Sequence, residues 1–396
     1  MKEGRRAVRI SRLAVDDYRS WSSLVVDLDE GVTILQGRNG LGKTNLVEAL
    51  EVLSTGSSHR VSSSAPLVRR GRPRATVRAN AEQDGRTDTY ELTIPLRGAN
   101  RARIDGGPSL YMRDLVGKVP SVTFSPEDQR LVTGEPSGRR SFLDQTAVQL
   151  DPDYYRVKQE TARLAQQRGA LLKRLARSEP DPGGVGMDRE AELSGLEVWT
   201  GQFIQRGMEL TARRMKVVEK LAGPLGDIYR NLAGEDQVVE MAYLPSFAEV
   251  LDGGVGPQTA AAISRHFQRV WPGEQARGVN LLGPQRDDLE FSLNGMPARD
   301  YASNGEEWTL ALALRLAEHR ILAEASGLTP ILVLDDVFAQ LDERRRSQII
   351  RFVQDQPQTL ITAASPGDVP DLEGAHLIDI ADLADRQRQT EAGVGL

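Results

Sequence analysis

The chain has 396 residues, 27% of them charged, with a formal net charge of −6, four histidines and no cysteine. That length suits two or three domains with enough core to fold unaided, and the missing cysteines exclude disulfides and thiolate metal sites. No apolar run of about eighteen residues occurs and the charged N-terminus lacks a signal core, so a cytoplasmic protein without a membrane span is expected. The charge is uneven: residues 1–150 carry 23 Lys+Arg against 18 Asp+Glu, and residues 151–396 carry 27 against 38. A basic run, Arg69, Arg70, Arg72, Arg74 and Arg78, could meet the phosphates of DNA, and a solvated loop accounts for it equally well.

In chain order, the first 120 residues read as short strands: Val8–Val15, Leu24–Leu28, Val32–Gln36, Ala75–Ala81, Thr87–Ile94 and Ala102–Ile104. Asp84-Gly85 and Asp105-Gly106 are hairpin signals, because both residue pairs tolerate positive φ. One helix interrupts: Leu46, Ala49, Leu50 and Leu53 recur at the i, i+3, i+4, i+7 spacing of an amphipathic helix. From about Ser125 to Arg277 the texture turns helical, with charged stretches at Tyr154–Arg177 and Leu193–Leu221 and a break at Pro180–Gly186. Helices of about 25 residues reach roughly 37 Å, enough for a lobe or short arm and too little for a long coiled coil.

After Gly283 the α/β texture returns: strand Leu289–Leu293, an Asn294-Gly295 turn, helix Glu306–Ala325, strand Ile331–Leu334, helix Glu343–Gln354, and strands Thr359–Thr362 and Leu377–Ile380. The expected fold is α/β, one domain in two halves with an inserted helical domain. Its halves would be residues 1–122 and 281–385, the helical lobe 123–280, and a C-terminal tail 386–396.

Gly37-Arg38-Asn39-Gly40-Leu41-Gly42-Lys43-Thr44 fits G-x-x-x-x-G-K-S/T between a strand and a helix. The glycines let backbone N–H groups turn toward phosphates at a helix N-terminus. Lys43 would reach the β- and γ-phosphates of ATP, and the Thr44 hydroxyl would bind Mg²⁺. Downstream, Ile331-Leu332-Val333-Leu334 is a continuously apolar strand that ends in Asp335-Asp336, at the strand end where open α/β sheets bind ligands. Asp335 would hold Mg²⁺, and Asp336 would orient or deprotonate the attacking water.

Ser303-Asn304-Gly305-Glu306-Glu307 resembles the ABC signature S-x-G-Q/E at a helix start. Ser303 with Glu306 is also an ordinary capping box, and the two readings are compatible, since an exposed helix N-terminus suits an incoming γ-phosphate. In ABC-type proteins this loop, with Ser303 and Gly305 here, completes the nucleotide site of a second subunit. Asp342 matches the loop that runs along that interface.

The chain resembles the RecF family of ABC/SMC-type ATPases along nearly its whole length. The resemblance rests on Tyr18-Arg19, Gly42–Ala49, Leu53–Gly56, Ser125-Pro126-Glu127-Asp128, Gly134–Asp144, Gly283-Pro284-Gln285-Arg286-Asp287-Asp288, Asn294-Gly295 and Asp335–Phe338. It implies a weak DNA-dependent ATPase that dimerises on ATP, binds gapped DNA at single-strand/double-strand junctions, and works with RecO and RecR to load RecA. Gln285 stands where the family usually has His, Glu306-Glu307-Trp308 replaces Gln-Gln-Arg/Lys, and Gln340 replaces Glu. Arg139-Arg140 is open to a DNA or interface contact or to a salt-bridged pair.

A transporter ATPase would place the S-x-G loop within about a hundred residues of the phosphate loop, whereas Gly37 and Ser303 lie 266 apart. An SMC or Rad50 head would need a coiled-coil insertion several times longer, with sustained heptads, so only a short SMC/Rad50-like head stays open from that class. A nucleotide-gated clamp with negligible hydrolysis remains as the alternative from another class.

Overall fold

The computed structural model describes residues 6–61, 63–177, 187–338, 341, 343–365, 367–369 and 372–393. The chain opens with β1 (Arg9–Tyr18) and β2 (Trp21–Asp27), followed by β3 (Gly31–Gln36), which feeds into α1 (Lys43–Thr55). Next come β4 (Arg74–Gln83), β5 (Arg86–Pro95), β6 (Arg101–Ile104) and β7 (Leu110–Tyr111). With β1 and β2 they form an antiparallel sheet in the order β2-β1-β4-β5-β6-β7. Along β4 every second residue, Ala75, Val77, Ala79 and Ala81, turns inward, the period of a half-buried strand. Asp84 and Asp105 take positive φ of 52° and 51° before their glycines, as the hairpin signals required.

β8 (Ser121–Phe124) is buried at all four residues and leads to α2 (Arg130–Thr133) and α3 (Pro136–Leu150). The helical lobe follows: α4 (Tyr154–Arg177), α5 (Met187–Ala233), β9 (Val239–Leu244), α6 (Glu249–Gly253) and α7 (Pro257–Arg277). The chain then runs through β10 (Asp288–Leu293), β11 (Met296–Pro297), α8 (Ala298–Tyr301), α9 (Asn304–Ser326), β12 (Ile331–Asp335), α10 (Glu343–Gln354), β13 (Gln358–Ala363), β14 (His376–Asp379) and α11 (Ile380–Gly393).

A parallel sheet in the order β14-β3-β13-β12-β8 joins early and late parts of the sequence. α1 packs between this sheet and the antiparallel one, touching β1 and β4 on one side and β8, β12 and β13 on the other. The phosphate loop at the head of α1 is thereby set against two stiff layers.

The structure departs from the sequence reading in four places. β8 lies in the parallel sheet beside β12, although Thr123 and Phe124 fall inside the segment read as helical. β9, in the same segment, pairs antiparallel with β10. Its six residues have one face half open to solvent, so their alternation is too short to stand out from the helices around it. The helix read as Leu193–Leu221 is the middle of α5, whose 47 residues reach about 70 Å from the lobe back to α9. Ile380, read as the end of a strand, opens α11, which runs to Gly393 through much of the expected tail. The Pro180–Gly186 break lies outside the described residues.

Candidate nucleotide-binding site

The loop between β3 and α1 is shaped by glycine. Gly42 has φ of 98°, and a Cβ there would lie 2.7 Å from Trp21 Nε1, which donates to the Gly42 carbonyl at 3.1 Å. Chirality and space therefore both demand glycine. Arg38, Asn39 and Gly40 are exposed on the crest of the loop. No side chain caps α1, so the N–H groups of its first turn face the loop without a side-chain acceptor, the arrangement that binds anions. Lys43 is 3% exposed, and its ammonium donates to the Gly37 carbonyl at 2.6 Å, the Arg38 carbonyl at 3.4 Å and Asn39 Oδ1 at 3.3 Å. Among the described residues this buried cation is held by neutral oxygens without a counter-charge, and a phosphate supplies one.

Asp335 at the end of β12 joins this loop. Thr44 Oγ1 donates to its Oδ1 at 3.2 Å, and Thr362 Oγ1 donates to the same oxygen at 2.6 Å. Asp336 sits at φ 52°, and its N–H donates to Thr362 Oγ1 at 2.8 Å. Burial raises the Asp335 pKa and the neighbouring Asp336 adds to that, against the hydrogen bonds from Thr362 and Thr44. A carboxyl group and a hydroxyl 3.2 Å apart offer two hard oxygen donors. They fit Mg²⁺, which takes few protein ligands and completes its octahedron with phosphates and water. Sequence reasoning missed Thr362. It belongs to no motif, and it reaches the acids because the parallel register sets Asp335 opposite Thr362.

At the head of α9 the capping box is formed: Ser303 Oγ accepts from the Glu306 N–H at 3.4 Å and donates to Glu306 Oε2 at 2.6 Å, and the Ser303 N–H donates to that carboxylate at 2.9 Å. These hydrogen bonds lower the Glu306 pKa and keep it ionised. The Gly305 carbonyl accepts from Arg345 at 3.0 Å, and a Cβ on Gly305 would lie 2.7 Å from the same guanidinium. Among the described residues, no hydrogen bond of Ser303 or Gly305 reaches the phosphate loop of the same chain. Asp342 and Gln340 lie outside the described residues.

Two of the diagnostic motifs are braces. Asp128 of Ser125-Pro126-Glu127-Asp128 accepts from its own Ser125 N–H at 2.8 Å and from Arg315 of α9 at 2.7 Å. Arg139 is 2% exposed and pairs with Asp288 at 2.7 Å, and Arg140 donates to the Asp287 carbonyl at 2.8 Å. Of the two readings of Arg139-Arg140, the paired one is observed for Arg139, because α3 lies against β10 and encloses it. In the basic run, Arg78 is paired with Asp16 and Glu91, and Arg72 with Asp17.

A glycine-shaped loop after a parallel strand, acids on a second strand and a capped S-x-G helix define an ABC-type P-loop ATPase head of the SMC class. The family model described as "RecF/RecN/SMC N terminal domain" matches residues 9–379. The DNA replication and repair protein RecF of Bifidobacterium adolescentis is 56% identical over 389 residues, covering 98% of this chain and 94% of its own. RecF of Streptomyces avermitilis is 43% identical over 367 residues, covering 92% and 95%. A solved structure described as the recombination mediator protein RecF-ATPrS in the RecFOR pathway superposes with a TM-score of 0.82 at 26% identity, covering 95% of this chain and 97% of that one. The chain belongs to the RecF family.

Proposed function

We propose that this protein is a cytoplasmic ATPase of recombinational repair, weak and DNA-dependent, which dimerises on ATP and binds gapped DNA at single-strand/double-strand junctions. With RecO and RecR it would promote loading of RecA. The relatives described as RecF-ATPrS and RecF-ATP in the RecFOR pathway support this reading. Its main support here is that Asp335, 291 residues further along the chain, meets the phosphate loop at Thr44, next to the buried ammonium of Lys43, which has only neutral oxygens around it among the described residues.

In the proposed mechanism, the N–H groups of residues 37–44 receive the phosphates, and Lys43 leaves the Gly37 carbonyl for the β- and γ-phosphate oxygens. Thr44 and Asp335 would hold Mg²⁺, which when bound neutralises developing phosphate charge. Asp336, fixed through its N–H by Thr362, orients the attacking water and accepts its proton. Ser303 and Gly305 meet the γ-phosphate bound by the other subunit, so hydrolysis loosens the dimer.

One observation favours the nucleotide-gated clamp as a second reading. Ser303's hydroxyl already serves the Glu306 carboxylate, so a γ-phosphate has to displace an anion to reach it. Sedimentation with ATP, with ADP and without nucleotide, paired with turnover measured with and without gapped DNA, tests both. An ATP-dependent dimer with DNA-stimulated turnover is expected. A dimer without turnover leaves the clamp, and a monomer under all conditions removes both.

A further inference from the structure

Charge on the antiparallel sheet is sorted along its strands. At the β4–β5 hairpin end, Glu82, Asp84, Asp88 and Asp105 are tied to Arg9, Arg6 and Arg86. At the other end the register sets Arg74 opposite Pro95, Arg101 opposite Thr93, and Tyr111 opposite Arg101. Arg70, Arg72, Arg74, Arg97, Arg101 and Arg113, from three separate stretches of the sequence and all exposed, thereby gather at one sheet end. Asp17 answers Arg72 at 3.3 Å and Asp114 answers Arg113 at 3.8 Å. Arg70, Arg74, Arg97 and Arg101 have no acidic partner among the described residues.

Tyr111, half exposed, organises part of this cluster. The guanidiniums of Arg101 and Arg113 lie 4.4 and 4.7 Å from its ring centroid, so the π system holds two cations close against their repulsion. The basic end is also the end where β1 turns into β2. Asp17 accepts from the Arg69 N–H at 2.7 Å, Tyr18 bridges to Val68, and Trp21 after the turn donates to Gly42 of the phosphate loop. Surface and nucleotide loop thus share one turn.

We propose that this basic sheet end is the surface that takes the sugar-phosphate backbone of duplex DNA, an inference that rests on the DNA-binding reading above. Uncompensated arginines attract phosphate whatever the sequence. The ring of Tyr111 is engaged by guanidiniums rather than left free for a base, which favours backbone contact over the base stacking typical of single-strand sites. The chain's net charge of −6 is no obstacle, since residues 1–150 carry 23 Lys+Arg against 18 Asp+Glu, and the excess of acids lies in residues 151–396.

The test is fluorescence anisotropy of a labelled blunt duplex with the full chain in ATP and Mg²⁺ across a salt series. A triple variant, Arg70→Ala with Arg74→Ala and Arg97→Ala, should bind at least about tenfold more weakly, with a salt slope flatter by roughly 2.7 for three lost phosphate contacts. Its ATP affinity should match wild type, and Arg86→Ala at the acidic end should leave DNA binding unchanged. If wild type binds the duplex and the triple variant matches it in affinity and slope, the surface is wrong while DNA binding stands. A triple variant that loses only single-strand binding overturns the duplex assignment. If wild type binds no DNA in any nucleotide state, the functional reading and the surface fall together.

Discussion

Lys43 and Arg214 are both buried cations, 3% and 4% exposed, in opposite surroundings. Arg214 meets Asp144 at 2.9 Å, Asp287 at 3.1 Å and the Pro284 carbonyl at 2.8 Å, while the hydroxyls of Tyr154 and Tyr243 donate to the same two carboxylates. Lys43 meets carbonyl and amide oxygens of its own loop. The pKa directions do not draw this line: Arg214 and Lys158 outweigh burial and hold Asp144 low, but burial wins at Asp287 despite Arg214 and Tyr243, as burial with Asp336 does at Asp335. A closed network fixes α3, α5, β9 and the Gly283–Asp288 turn against one another. An open one stores affinity for a ligand of opposite charge, so completeness of pairing separates frame from site.

The largest expected effect breaks the frame. Arg214→Met leaves the buried Asp287 without its paired cation and Asp144 with Lys158 alone, and should cost about 3–5 kcal/mol in urea unfolding. An unchanged midpoint would show the network to be dispensable. Lys43→Ala should do the reverse, leaving stability near wild type while ATP affinity falls about a hundredfold by calorimetry, as expected when a charged hydrogen-bond donor is removed. Unchanged affinity would remove the phosphate-loop assignment.

His59 offers an intermediate case. Its Nδ1 lies 2.7 Å from Glu51 of α1, and burial works against the imidazolium but Glu51 outweighs it, so the pKa is pushed up to about 9 from 6.5. A raised folded-state value means the contribution is complete below pH 6.5 and drains as pH rises toward 9. Thermal unfolding should lose on the order of 2 kcal/mol across that window, and His59→Gln should flatten the profile. A profile unchanged by His59→Gln would assign the pH dependence to other groups.

The smallest effect sharpens the site. Glu306→Gln keeps a side chain able to close the capping box and removes the anion beside Ser303. The ATP-bound dimer should tighten by about threefold to tenfold in sedimentation equilibrium. No change would acquit Glu306 of slowing closure.

The fold was legible where a local rule is strong: the glycine-rich turn before Lys43, the apolar run before Asp335, and the aspartate-glycine hairpins at Asp84 and Asp105. It was illegible where pairing across long sequence distances decides. Ser121–Phe124 is too short to declare itself, and it becomes a strand because β12 offers it an edge. Thr362 enters the site by register with Asp335, and Arg101 meets Arg74's end of the sheet through β5. Arg139 shows the converse limit: the sequence leaves a DNA or interface contact and a salt-bridged pair equally open, and the pairing with Asp288 of β10 decides between them.

The central claim, a nucleotide site shared by two subunits, is tested most directly by sedimentation velocity of Asp336→Asn and Ser303→Arg with ATP and Mg²⁺. Asp336→Asn should accumulate an ATP-bound dimer that outlives the wild-type one, because Thr44 and Asp335 remain while the water loses its base. Ser303→Arg should bind ATP and stay monomeric. If Ser303 is merely the cap of α9, the variant instead loses about 1 kcal/mol of stability and dimerises normally. That result would contradict the two-subunit site.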